Sequence, residues 1–228
     1  MHARDLLFEA IAQRLADVLS PGLTIVAVDG VDGAGKTMFA DDLAGYLSDT
    51  GLAIVRSGAD HFHNPRSVRH ARGKTSPEGF YRDSYDYAGL REALFYPARI
   101  GRPARLALFD HRTDQKVAGE AVVLPLPAVL VFDGLFLHRP ELRDEWDLGI
   151  FLDVPFEVSY ARMAARDGSN PMPSAAANRR YYKGQQLYLS EADPRAAADI
   201  LVDYADLDRP TILRARKRGA GAPLEADC

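Results

Sequence analysis

Cysteine is almost missing from this chain: Cys228, the last of 228 residues, is the only one. No disulfide can form within the chain, and that usage fits a reducing compartment, so the cytoplasm is the expected location. No apolar run is long enough to span a membrane. The first residues, Met1-His2-Ala3-Arg4-Asp5, lack the basic-then-apolar pattern of an export signal. An excess of one charge is lacking too. Lys plus Arg number 28 against 32 Asp plus Glu, a net charge of −4, which gives no electrostatic reason to expect a nucleic-acid partner. No repeat period stands out, which argues against a solenoid. What remains is ordinary, 47% hydrophobic and 26% charged residues, in a length that suits one domain with a substantial core.

Against that background one segment stands out. Gly30-Val31-Asp32-Gly33-Ala34-Gly35-Lys36-Thr37 fits the phosphate-binding pattern G-x-x-x-x-G-K-[ST] at every fixed position. Before it, Thr24-Ile25-Val26-Ala27-Val28 reads as a buried parallel strand. After it, Thr37 to Leu47 reads as a helix with Phe39, Leu43 and Leu47 on one face. Glycines let successive N–H groups converge on phosphate oxygens, and the helix N-terminus adds partial positive charge. Lys36 can reach the phosphates, and the Thr37 hydroxyl can bind Mg²⁺.

The rest of the chain alternates. A helix is expected from about 3 to 19, where Leu7, Ile11, Leu15 and Leu19 recur at helical spacing before Ser20-Pro21-Gly22. Strands are expected at 52–55, 104–109, 120–124, 128–132, 148–154 and 200–202. Residues 64–83 read as loop with short helical pieces; helices are expected at 87–94, 156–166 and 179–189. Residues 167–178, with Gly168, Pro171 and Pro173, read as a mobile loop, and 214–228 as a frayed tail. This is the pattern of an α/β fold, a doubly wound parallel sheet with helices on both faces and a small lid at about 167–180, all in one domain. In such sheets the site lies at the carboxyl ends of the strands, so Asp60, Asp110 and Asp133, each following an expected strand, should gather near the P-loop.

A P-loop alone does not separate a kinase from a switch GTPase or a motor ATPase. The guanine-reading Asn-Lys-x-Asp pattern and the Leu-Ser-Gly-Gly signature of transporter ATPases are absent. Four stretches narrow the choice: the P-loop; Asp60-His61-Phe62-His63; Val131-Phe132-Asp133-Gly134-Leu135-Phe136-Leu137 running on to Leu142-Arg143-Asp144-Glu145-Trp146-Asp147; and Ile150-Phe151-Leu152-Asp153-Val154 followed by Arg162 and Arg166-Asp167. From about Thr24 to Leu213 the chain resembles the uridine kinase family, within the group that includes phosphoribulokinase and bacterial pantothenate kinase. It departs from that family at Asp133, where Glu is usual, and at His63 and Phe109, where Tyr is usual. His111-Arg112-Thr113-Asp114 stands in place of a Ser-His-Ser-Arg segment, and Ser76-Pro77-Glu78-Gly79-Phe80 is similar to the pantothenate- and sugar-kinase side of the group.

The resemblance implies a small-molecule kinase that uses ATP and Mg²⁺, with a nucleoside such as uridine as acceptor, or else pantothenate or a sugar. A nucleotide-dependent switch is a further alternative, and a homo-oligomer is left open. The implied ATP site is Gly30, Gly33, Ala34, Gly35, Lys36, Thr37 and Met38, with Arg162 and Arg166 approaching from the lid. Asp133 joins Thr37 as the metal-associated acid, or else is a turn aspartate before Gly134. Asp60 matches the base that accepts the proton of the attacking hydroxyl, with Lys36 as the other catalytic group. Candidates for the acceptor pocket are His63, Tyr81, Asp86, Phe109, Asp110 and Arg180, joined by Tyr85. For Tyr81, Tyr85 and Asp110 a packing or structural role is as plausible. Arg162, Arg166, Arg179 and Arg180 flank the lid, either closing over phosphates or solvating their helices. His61 and His63 form His-x-His, but no Cys or further His pattern completes a zinc site.

Overall fold

Residues 3–216 are described by a computed structural model. In chain order the elements are α1 (Ala3–Ala16), β1 (Leu23–Gly30), α2 (Lys36–Ser48), β2 (Ala53–Gly58), α3 (Arg66–Arg69), α4 (Pro77–Asp83), α5 (Tyr87–Leu90), α6 (Tyr96–Arg99), β3 (Phe109–Asp110), β4 (Gln115–Lys116), β5 (Ala128–Gly134), β6 (Leu148–Asp153), α7 (Phe156–Asp167), α8 (Arg179–Ala192), α9 (Pro194–Ala197), β7 (Ile200–Asp203) and β8 (Thr211–Ala215). Six strands form one sheet in the order β2-β5-β1-β6-β7-β8. The first five run parallel and β8 is antiparallel to β7.

β1 and β5 are buried along their whole length because helices cover both faces. Alternate residues go to opposite sides. Ile25, Ala27, Leu130 and Phe132 face a core with Leu94, Phe95, Phe136 and Trp146. Val26, Val28, Val129 and Val131 face Leu7, Ile11 and Leu15 of α1 and Phe39, Leu43 and Leu47 of α2. Trp146 lies flat on Phe132, with centroids 5.7 Å apart, and its indole N–H reaches the Leu137 carbonyl at 2.7 Å. This anchors the segment between β5 and β6.

The expected strands at 104–109 and 120–124 are not part of the sheet. Ala104 and Val122 form an isolated bridge, and β3 pairs only with β4 in a separate ribbon. The backbone of this stretch is bonded elsewhere: the Arg105 N–H to the Ala93 carbonyl, the Leu108 N–H to the His61 carbonyl, and the Leu106 carbonyl to the Ser57 hydroxyl. β8 lies outside the expected strands; its residues are exposed and half-buried in alternation, the pattern of an edge strand. It takes in the start of the expected frayed tail; the remainder, 217–228, lies outside the described residues. The helix expected at 87–94 runs on as α5, a π turn at Arg91–Phe95 and α6. Pro97 cannot bond the Ala93 carbonyl, and that carbonyl instead accepts the Arg105 N–H at 2.8 Å. α1 stops at Ala16, leaving Leu19 41% exposed.

Candidate active site

The P-loop fills the bend between β1 and α2, at the carboxyl edge near the middle of the sheet. Gly35 caps α2 with φ of +95°, a left-handed conformation that favours glycine. The first-turn N–H groups of α2 have no intrahelical acceptors and face the loop's concavity. Lys36 Nζ rests on the Val31 carbonyl at 2.9 Å. Arg162 of α7 backs the loop, donating to the Ala34 carbonyl at 3.0 Å and to Tyr204 and Ala205 at 2.9 Å. Met38 is 44% exposed beside it, whereas Arg166 points outward and pairs with Asp167.

β5 ends beside this loop and delivers Asp133. The Thr37 hydroxyl donates to Asp133 Oδ2 at 2.7 Å, and Arg56 of β2 donates to Oδ1 at 2.9 Å. Arg56 also holds Asp41 of α2 and the Val131 carbonyl, so one guanidinium ties two strands and a helix around the acid.

β2 ends in a 3-10 turn, Ala59–Phe62, that presents Asp60 with its side chain 65% exposed. The Tyr85 hydroxyl approaches Asp60 at 3.4 Å and His63 Nε2 lies 3.8 Å from it. Burial, then the charges of Asp60, Tyr87 and the P-loop residue Asp32, raise the Tyr85 pKa well above its ordinary value. His63 packs on Tyr85, 4.6 Å between centroids, and meets His111 edge-on at 5.1 Å. Burial, followed by Arg69 and His111, lowers its pKa to about 3, so the ring is neutral at ordinary pH. No cluster of three or more His, Cys, Asp or Glu suited to a metal forms among the described residues.

Several acceptor-pocket candidates have other work. Tyr81 is packed in the core under Arg139, whose guanidinium carbon sits 4.6 Å from the ring centre. Asp86 caps α5 through the Gly89 N–H at 2.8 Å. Phe109 is buried. Asp110 ends β3 of the separate ribbon and not a strand of the six-stranded sheet; the Arg112 N–H, above all, lowers its pKa. Arg180 is buried and donates to the carbonyls of Arg69, Gly73, Lys74 and Ser76, so it pins the 69–76 loop to α8. Its neighbour Arg179 lines a groove of about 730 Å³ with Arg72, Lys74 and Glu78. The 167–178 segment is folded on itself, with the Asn178 amide bonding the Asn170 and Met172 carbonyls.

Around the loop, Asp29 accepts from Tyr188 of α8 and meets His138 Nδ1, and Gln185 of α8 accepts the Asp32 N–H; no motif singles out these residues or Arg56. The carboxylate of Asp29 had a signal, being the only charge in a strand otherwise apolar up to the loop. The partners on α8 had none, since their spacing makes sense only once the helix is docked.

The match to known proteins agrees with this geometry. Residues 25–171 fit the model of the phosphoribulokinase / uridine kinase family. The chain belongs to that family. It is an ATP-dependent small-molecule kinase by that membership. It is 24% identical to a uridine kinase of Deinococcus deserti over 192 residues, 82% of this chain and 91% of that one. It is 32% identical to a thymidylate kinase of Xanthomonas campestris pv. campestris over 157 residues, 65% of this chain and 63% of that one. Among solved structures, a possible uridine kinase from Bacillus stearothermophilus superposes with a TM-score of 0.68 at 24% identity, covering 87% of this chain and 96% of that one. A putative fructose transport system kinase from Silicibacter sp. TM1040 gives 0.64 at 27% identity, covering 84% and 94%. No helix among the described residues is long and apolar enough to cross a membrane.

Proposed function

We propose that this kinase moves the γ-phosphate of ATP to the 5′-hydroxyl of uridine or a related nucleoside, with Mg²⁺ as its metal, in the cytoplasm. The observation that carries the reading is the Thr37–Asp133 bond beside the exposed Asp60. It couples the loop hydroxyl to a strand-end acid, and a second carboxylate stands open to a substrate.

The hydroxyl of Thr37 and the carboxylate of Asp133 are hard oxygen ligands of the kind Mg²⁺ takes alongside phosphate oxygens. When bound, that ion neutralises charge on the transferring phosphoryl group. The chain's own groups do the rest. Lys36 leaves the Val31 carbonyl for a phosphate oxygen, and the α2 N–H groups hold the remainder. Asp60 orients the acceptor hydroxyl and takes its proton as the new bond to phosphorus forms and the bond from phosphorus to the departing ADP oxygen breaks. Neutral His63 and the Tyr85 ring give a ring-lined wall near Asp60, with His111 edge-on to His63, which suits a nucleobase or ribose. Residues 167–178 close over the bound nucleotide as a lid, and the whole chain serves as one kinase unit.

The 27% likeness to the fructose transport system kinase favours a second reading, a sugar acceptor. Acceptor-stimulated ADP release over a panel of nucleosides, pantothenate and sugars tests both. The nucleoside reading expects uridine or another nucleoside to give the highest kcat/KM. A sugar or pantothenate in that place would replace the acceptor, and no stimulation by any of them would remove the reading altogether.

A further inference from the structure

The P-loop is gripped by two helices. On one side Gly33, at φ +73°, packs on α7 so closely that a Cβ there would lie 2.5 Å from the Ser159 carbonyl oxygen and 2.7 Å from the Met163 side chain. On the other side α8 offers Gln185 and Tyr188, both buried and spaced to lie on one helix face. Gln185 Oε1 accepts the N–H of Asp32 at 2.5 Å, and its Nε2 is tied to the Tyr181 carbonyl at 3.2 Å, which fixes the amide's orientation. Tyr188 donates its hydroxyl proton to Asp29. The Asp29 carboxylate is fully buried and also accepts the Gly30 N–H at 2.7 Å, the His138 N–H at 3.0 Å and a bond with His138 Nδ1 at 2.9 Å.

One helix face therefore holds the loop at two points, at Gly30 through Asp29 and at Asp32 directly. The chemistry of transfer, as read above, uses none of Asp29, Gln185 or Tyr188. We propose that Gln185 and Tyr188 are positioning residues that hold 29–32 in the shape that aims the loop's N–H groups and Lys36 at phosphate. The segment 167–178 joins α7 to α8, so the two helices that grip the loop are the two that the lid connects. The inference rests on the reading of the loop as the ATP site.

Gln185→Met keeps length and volume but removes the acceptor; Tyr188→Phe removes only the hydroxyl. The measurements are the dissociation constant of a nonhydrolysable ATP analogue, acceptor KM, melting temperature, and hydrogen exchange of the Asp32 N–H without nucleotide. In Gln185→Met the dissociation constant should rise about tenfold, the scale of one buried hydrogen bond. Acceptor KM should stay within about twofold and the melting temperature within a few degrees, while Asp32 exchange quickens. Tyr188→Phe should show the same split between nucleotide affinity and acceptor KM. Unchanged nucleotide affinity in Gln185→Met would overturn the inference. So would a joint loss of nucleotide affinity, acceptor KM and melting temperature in both variants, the pattern of general destabilisation. If the wild type binds no nucleotide, the kinase reading itself fails. The Asp32 exchange rate then still decides whether Gln185 holds the loop, and an unaltered rate overturns that.

Discussion

Replacing His63 by Phe keeps a ring against Tyr85 but removes a group that the fold holds neutral. Burial presses the imidazole pKa from 6.5 to about 3, with Arg69 and His111 adding to it and Asp114 opposing. Between those two values the unfolded chain binds a proton that the native protein refuses. Stability therefore rises with pH across this window, and the contribution is lost as pH falls from 6.5 toward 3. At pH 5 the wild type should have lost about 2 kcal/mol from this site relative to pH 7.5. Urea unfolding at the two pH values, for wild type and His63→Phe, isolates that figure, because the other titrating groups cancel in the double difference. The variant should lose about 2 kcal/mol less than wild type on going from pH 7.5 to pH 5. A double difference under about 0.5 kcal/mol would show that His63 is protonated in the native protein, and would undo the neutral imidazole assigned to the acceptor pocket.

Lys36→Ala should cut turnover at saturating MgATP by two to three decades, about 3–4 kcal/mol, with an unchanged circular dichroism spectrum. Asp60→Asn should lower kcat by about two to four decades with nucleotide affinity little changed; lost nucleotide binding with the chemical step preserved would move Asp60 to the Mg²⁺ site. A nonhydrolysable ATP analogue should shield residues 167–178 from limited proteolysis, and equal cleavage with and without it would count against a lid.

Much of the frame could be read from the sequence because its cues are local. The apolar runs of β1, β5 and β6 need no partner to be recognised, and the P-loop carries its own helix start at Lys36. Where stability comes from partners far along the chain, the local pattern carries little signal. β8 is held by pairing with β7 although its own residues alternate between exposed and half-buried. The 104–124 region has apolar residues, yet its backbone groups pair with Ala93, His61 and Ser57 and with each other, not with the sheet. Site residues divide in the same way. Thr37 is announced by the P-loop motif and Asp133 by its strand end, and the fold joins them across 96 residues of chain. Arg180 reads from sequence as a lid arginine, but its side chain is spent on four backbone carbonyls, and only the docking of α8 on the 69–76 loop reveals that. Gln185 and Tyr188 carry no motif at all; their meaning comes from which face of α8 meets the loop.

The most direct test of the central claim follows the phosphorus atom. The protein is incubated with Mg²⁺, uridine and ATP labelled in the γ-phosphate, and the labelled product is isolated and identified. Label is expected on the 5′-oxygen of uridine, in proportion to the ADP formed. Label found only in inorganic phosphate, with ADP formation indifferent to every nucleoside offered, would contradict it.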